Sequence, residues 1–154
     1  MKIKLSGIYG NGKYAIIDEE DFDKIKNHTW RVLQNGYAVC QSNYKTVYMH
    51  RVIMNTPKNM ATDHINHNRL DNRKINLRVC TQLQNNYNTK CDRNNKSGFL
   101  GVSYCKRDDK WVAHIQLNYK QMNLGSFPSK EEAAKTYDNK AKELFGEFAN
   151  LNFK

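Results

Sequence analysis

The chain has 154 residues, about one average domain on the soft scale of ~150 residues per domain, or two small modules near the lower limit for a self-sufficient core. Lys plus Arg number 25 against 15 Asp plus Glu, a net charge of +10, and nine Tyr, six Phe and two Trp separate it from disordered chains, which lack aromatics. No apolar run approaches the ~18 residues of a membrane span, and the opening MKIKLSGIYGNGKY has no signal-peptide core, so a membrane protein and a secreted one are disfavoured and a cytoplasmic protein is expected.

Short β-like runs at residues 2–9, 14–18, 30–33, 37–41 and 46–49 alternate with turn signals such as Gly10-Asn11-Gly12 and Asn35-Gly36, predicting a β-rich N-terminal region. The acidic stretch at 18–23 reads as a solvated helix start, where carboxylates suit the helix dipole. Residues 85–98, NNYNTKCDRNNKSG, have no hydrophobic periodicity and read as a helix tail running into a linker that orders on nucleic acid. Beyond it, apolar residues occupy alternate positions in 111–117 and 121–127, the period of half-buried strands. Ser129 then stands three residues before Glu132, a helix-capping pattern, and Ala133, Ala134, Tyr137, Ala141, Leu144 and Phe145 form one apolar stripe ended by Gly146. A three-stranded antiparallel sheet with one helix across it follows. The expected organisation is 1–90, a linker at 91–97, and a second module at 98–154. The four Cys form no CxxC pair, so free thiols in a reducing compartment are expected, with no structural zinc.

The surplus of cations calls for a polyanionic partner, most simply nucleic acid. Residues 129–154 hold five Lys and five acids, whereas 91–128 hold six cations and three acids, so the excess lies on the strands. With the helix covering one sheet face, the other is a polar, basic surface of the kind that enters a DNA major groove.

The stretch richest in chemistry is Thr62-Asp63-His64-Ile65-Asn66-His67-Asn68, continuing through Asp71-Asn72-Arg73 to Asn76-Leu77-Arg78. On an extended segment Asp63 and His64 point opposite ways, so one can hold a metal while the other acts elsewhere. Asn72 falls in a polar turn, residues 76–79 can return as a second strand, and Thr81 can cap a helix carrying Asn85. A carboxylate and an amide oxygen make a hard, oxygen-only pair suited to Mg²⁺. His50, His67, His28 and His114 read as packing, loop or binding-face residues.

This stretch, with Tyr48-Met49-His50-Arg51 upstream, resembles the HNH endonucleases over residues 48–88. The resemblance implies a ββα-metal core in which Asp63 is a metal ligand, His64 the general base with a near-ordinary pKa, and Asn76 the residue that braces the loop. It further implies Asn85 as the second metal ligand, with one Mg²⁺ or Mn²⁺ per site. Downstream, Ser97-Gly98-Phe99-Leu100-Gly101-Val102, Lys110-Trp111-Val112-Ala113, Leu124-Gly125-Ser126-Phe127, Glu131-Glu132-Ala133-Ala134 and Leu151-Asn152-Phe153 resemble APETALA2-type DNA-binding domains. There the sheet lies in the major groove. The Arg and Trp that such domains use for base contacts are here Ser103, His114, Gln116, Gln121 and Asn123, with cations only at Lys106, Arg107 and Lys110. A GC-rich target is therefore not implied, while Gln and Asn can read adenine edges.

The reading is an α+β protein: a β-rich region and HNH core, then a three-stranded sheet packed on one helix. It predicts a metal-dependent endonuclease acting on double-stranded DNA in a phage-infected or bacterial cell, without a small-molecule cofactor. Arg51, Arg69, Arg73 and Arg78 are candidate phosphate contacts beside the cut. The rival is a non-catalytic DNA-binding regulator on the same scaffold, which has no need of Asp63, His64 and Asn85; an RNA-binding module is weaker, because A-form RNA hides its major groove. A monomer would nick one strand and a dimer could cut both; no heptad pattern chooses between them.

Overall fold

The computed structural model describes residues 1–92 and 94–153, and the chain divides into two compact units, Met1–Gln82 and Leu83–Lys154. The first unit opens with β1 (Lys2–Lys4) paired antiparallel to β2 (Tyr14–Ile16). A 3-10 turn at Glu19–Asp21 leads into α1 (Phe22–Ile25). A three-strand meander follows, β3 (Arg31–Val32), β4 (Ala38–Ser42) and β5 (Lys45–Tyr48), then α2 (Met49–Ile53). Finally β6 (Ala61–His64) and β7 (Leu77–Cys80) pair antiparallel, and α3 (Gln82–Tyr87) follows them in the chain, its first residue in this unit and the rest in the second.

Each of the five β-like runs contains a strand. The first stops early because Ser6 leaves the hairpin to bridge Arg31 and Gly7 takes φ 82°. At the β3–β4 turn Gly36 has φ 88°, the left-handed conformation that makes Asn-Gly a hairpin signal. Leu5, Ile17, Ile25, Trp30, Met49 and Ile53 meet in one core, with the Trp30 indole N–H donating to Ile25 O at 3.0 Å.

The acidic run departs from expectation at Asp21. Asp21 is fully buried, with its Oδ1 2.7 Å from Lys24 Nζ and 3.3 Å from Lys74 Nζ. Asp18 Oδ2 accepts from the Lys74 amide at 2.8 Å, and Glu20 pairs with Lys74. The stretch opens a short helix with Glu19, Glu20 and Asp23 exposed, and Asp18, Glu20 and Asp21 also clamp a distant loop. On α2, His50 is buried between Tyr37 and Tyr48, ring centroids 5.1 and 5.4 Å away, and its Nδ1 has no partner among the described residues. Burial above all, then the charges of His64 and Arg51, pushes its pKa down to about 3.

In the second unit β8 (Val102–Cys105), β9 (Lys110–Leu117) and β10 (Lys120–Phe127) form an antiparallel sheet in the order β10-β9-β8, crossed by α4 (Lys130–Phe145). Ser129 Oγ accepts from the Glu132 amide at 3.2 Å, as its capping position requires. Ala133, Ala134, Tyr137, Ala141 and Phe145 are buried; Leu144 is half-buried. Asp138 on α4 accepts from the amides of Asn152 and Phe153 at 2.9 Å each, and the Leu100 amide donates to Asn152 Oδ1 at 2.6 Å, so the C-terminal segment is tied to both helix and sheet.

The boundary between units lies within α3 and not in 91–97. Residues after it belong to the second unit: Tyr87 stacks on Phe145 at 4.0 Å. Of the 91–97 stretch, Arg93 lies outside the described residues; Asn95 Oδ1 accepts from the amides of Ser97 and Gly98 at 2.8 and 3.3 Å, forming a tied turn. The four cysteines are free thiols, Cys40 and Cys80 buried. Among the described residues no helix is long and apolar enough to cross a membrane.

Gly101 has φ 71°, and a Cβ there would sit 2.1 Å from Tyr137 Cδ2 and 2.6 Å from His114 O. Gly101→Ala is expected to destabilise the second unit by at least about 2 kcal/mol, from overpacking plus left-handed strain. Gly98→Ala, with φ 78° but open space, is expected to cost about 1 kcal/mol. Thermal melts followed by helical circular dichroism separate the two.

Because His50 titrates lower folded than unfolded, the unfolded chain takes up its proton first as pH falls. Its stabilising contribution is full above pH ~6.5 and declines towards pH 3, amounting to a loss of about 2 kcal/mol between pH 8 and pH 5. His50→Phe is expected to remove that part of the acid sensitivity. Urea unfolding read by Trp30 fluorescence in a Trp111→Phe background measures it.

Candidate active site

The β6–β7 register sets Asp63 opposite Arg78 and His64 opposite Leu77. Adjacent strand residues face opposite ways, so Asp63 and His64 enter different surroundings although both are buried. The Asp63 carboxylate meets a guanidinium: Arg78 Nε and Nη2 donate to Oδ2 at 2.9 and 2.7 Å. His64 joins the aromatic group on the other side, its ring centroid 5.0 Å from His50 and 5.8 Å from Tyr37. Its Nε2 lies 3.4 Å from Asn72 Oδ1.

The pKa of His64 is not the near-ordinary one that the sequence implies. Burial lowers it, opposed by the Asn72 contact and by the negative charge of Asp63 and Asp71. Burial thus favours the neutral imidazole, the form that can accept a proton.

Between the strands, residues 65–76 form a loop closed by side chains. Asn76 Oδ1 accepts from the Asn66 amide at 2.9 Å and its Nδ2 donates to Asp71 O at 2.8 Å, so one buried amide joins both limbs. The Ile65 amide donates to Asn76 O at 3.0 Å. Asp71 is held by Arg73, which donates from Nε and Nη2 at 2.8 Å each and keeps the carboxyl below its usual range. The Asn72 amide donates to Ile16 O at 2.7 Å, and the Ile16 amide to Leu70 O at 2.8 Å, so β2 grips the loop from outside. His67 sits in the loop at φ 60°.

The four candidate arginines all have internal partners. Arg51 donates to Met60 O and Pro57 O at 2.8 Å each; Arg69 donates to Asn35 O and lies over the Tyr37 ring at 4.6 Å; Arg73 holds Asp71; Arg78 holds Asp63. Asn85 stands on α3. Of the remaining histidines, His28 packs edge-on against Trp30. Sequence reasoning missed Asn72 and His50 as neighbours of His64, and Asp18, Glu20 and Asp21 as its remote clamp. Only the density of Asn and Asp in 66–72 hinted at a side-chain-tied loop.

In the second unit the register gathers the candidate nucleic-acid residues. Ser103 pairs with Val112, His114 with Asn123 and Gln116 with Gln121, all on the sheet face opposite Ala113 and Ile115, which join the core. Asn123 Oδ1 accepts from the Gly125 amide at 2.9 Å, at a register shift between those residues. Lys106, Arg107 and Lys110 are exposed at the β8–β9 end, Arg107 beside Asp108.

Comparison with known proteins agrees with both halves of this picture. Residues 47–87 match the HNH endonuclease family. Over 149 residues the chain is 32% identical to a protein of Acanthamoeba polyphaga mimivirus named Uncharacterized HNH endonuclease, spanning 93% of this chain and 76% of that one. Protein 3.8 of Escherichia phage T7 is 34% identical over 95 residues, 62% of this chain and 78% of its own. Dehydration-responsive element-binding protein 2A of Arabidopsis thaliana is 40% identical over 62 residues, but these are 39% of this chain and only 18% of the plant protein. No solved structure matches. HNH nucleases act with a divalent metal ion and on DNA, and with the paired strands carrying Asp63 and His64, the loop braced by Asn76 and a viral relative aligned over 93% of this chain, this chain belongs to the HNH endonuclease family.

Proposed function

We propose that the chain hydrolyses phosphodiester bonds of double-stranded DNA, with His64 accepting the proton of the attacking water and Asp63 as a ligand of one Mg²⁺ or Mn²⁺. The observation that carries this is a buried imidazole one residue from a buried carboxylate on the same strand, the two facing opposite ways. Asp63 offers a hard oxygen held in place by Arg78, which suits an ion that keeps waters and takes phosphate oxygens. Asn85 is the second donor in this reading by its place in the sequence pattern. The Cys80 thiol, pushed up by burial, is no competitor. When bound, the metal neutralises charge on the phosphate and stabilises the leaving 3′ oxygen. His64 orients and deprotonates the water, Asn76 holds the loop, and Arg78 fixes the Asp63 carboxylate.

The second unit anchors the enzyme on DNA through its sheet face. Gln116 and Gln121 lie side by side, exposed, and each can make the paired amide contact that adenine offers, while Lys106, Arg107 and Lys110 meet phosphates. Joining two weak modules raises the local concentration of each at the other's site.

Wild-type protein is expected to nick or linearise supercoiled plasmid with Mg²⁺ or Mn²⁺ and to stop with EDTA. His64→Ala, with unfolding checked, is expected to lose on the order of 10²–10⁴-fold in rate. Unchanged cleavage by folded His64→Ala would overturn the assignment. For the anchor, each of Lys106→Ala and Lys110→Ala is expected to flatten the slope of log affinity against log salt by roughly 1, whereas Gln116→Ala with Gln121→Ala should leave that slope unchanged and weaken sequence preference. Binding to random and selected duplexes in Ca²⁺ reads both.

A further inference from the structure

We propose that Asn72, rather than the bracing Asn76, is the positioning residue of the His64 imidazole, and that the N-terminal strand β2 sets it. This rests on the nuclease reading of His64. A carbonyl oxygen only accepts, so Asn72 Oδ1 at 3.4 Å from His64 Nε2 places the imidazole proton on Nε2 and leaves Nδ1 as the basic nitrogen. Asn76 spends both ends of its amide on the loop, Oδ1 on the Asn66 amide and Nδ2 on Asp71 O, and is not drawn to the ring by either contact.

Three features support the assignment. Asn72 has no exposed surface, and its Nδ2 is buried with no partner among the described residues. An amide kept only for packing would be better replaced by an apolar residue of its size, so the cost of that orphan donor points to work done by the oxygen. Its backbone is delivered from outside the loop, through the 2.7 Å bond to Ile16 O and the parallel bridge of Ile16 with Asp71. Tyr37 and His50 also pack against the His64 ring, so the Asn72 contact acts on a ring already restricted in orientation. Ile16 lies well outside residues 47–87, the part that matches the HNH family, so the orientation of the general base depends on a strand added to that core.

The test uses full-length protein in which histidine ring nitrogens are ¹⁵N-labelled. Long-range ¹H–¹⁵N spectra report which nitrogen of each neutral imidazole carries the proton, and His64→Gln identifies the His64 signals. The expected wild-type pattern is the Nε2–H form. Asn72→Leu, close in size and without an acceptor, is expected to give a mixture of the two forms and a kcat lower by on the order of 10–100-fold with KM little changed. Asn72→Asp, which restores an acceptor oxygen, is expected to recover the Nε2–H form and most of kcat. An Nδ1–H form in the wild type overturns the proposal, as does folded Asn72→Leu with wild-type kcat. The wild-type spectrum alone decides if Asn72→Leu does not fold. Since the spectrum needs no turnover, a protein with the Nε2–H form and no His64-dependent cleavage would sink the nuclease reading while leaving the contact intact.

Discussion

Everything at the nuclease site depends on closing the loop of residues 65–76. Twelve residues between two short strands carry a closure cost that grows with loop length, and the β6–β7 ladder has only four paired positions to offset it. Side chains supply the rest. The Asn76 amide joins the limbs from within, while Ile16, Asp18 and Glu20 hold 70–74 from without. If either clamp were lost, His64 would still stand at the end of β6, but Asn72 would no longer be delivered to it.

That dependence explains why so polar a segment is so buried. Asp63, His64, Asp71, Asn72 and Asn76 are all nearly inaccessible, yet nearly every one is tied to a named partner. Buried polar groups are tolerable when satisfied, and a satisfied network holds one geometry. The arginines follow the same logic. Charge alone gives Arg51, Arg69, Arg73 and Arg78 to phosphate, but each donates to a carbonyl or carboxylate of the protein. The +10 surplus thus includes guanidinium groups employed internally, and the cations facing outward are mainly lysines.

Local patterns were legible in the sequence, and distant partners were not. Period-two alternation and Asn-Gly turns located the short strands, and Ser129 with its apolar stripe located α4, because those signals lie within a few residues of what they determine. Asp63 and His64 on opposite faces of one strand followed from the same period. Asp21 did not, because its burial depends on Lys74, 53 positions away, and on a core that α1 happens to cover. Asn72 looked like one more turn residue among many. Its neighbour His64 is eight positions off, and what brings them together is a parallel bridge to Ile16, which no periodicity in 62–80 encodes.

The pair His50 and His64 shows what the site costs. An imidazole must be neutral to accept a proton, and burial favours the neutral form of both rings. The same burial removes solvent from His50 Nδ1 and Asn72 Nδ2 without providing partners for them among the described residues. An apolar residue at position 50 would stabilise the unit, since it would remove both an orphan nitrogen and a group that favours the unfolded chain below neutral pH. What it would give up is a polarisable, edge-on ring 5.0 Å from His64 in a group that also holds Tyr37 and Tyr48. His50 Nδ1 and Asn72 Nδ2 thus lie on two residues that flank the His64 imidazole, the relation expected when a fold is held to a particular geometry at some cost in stability.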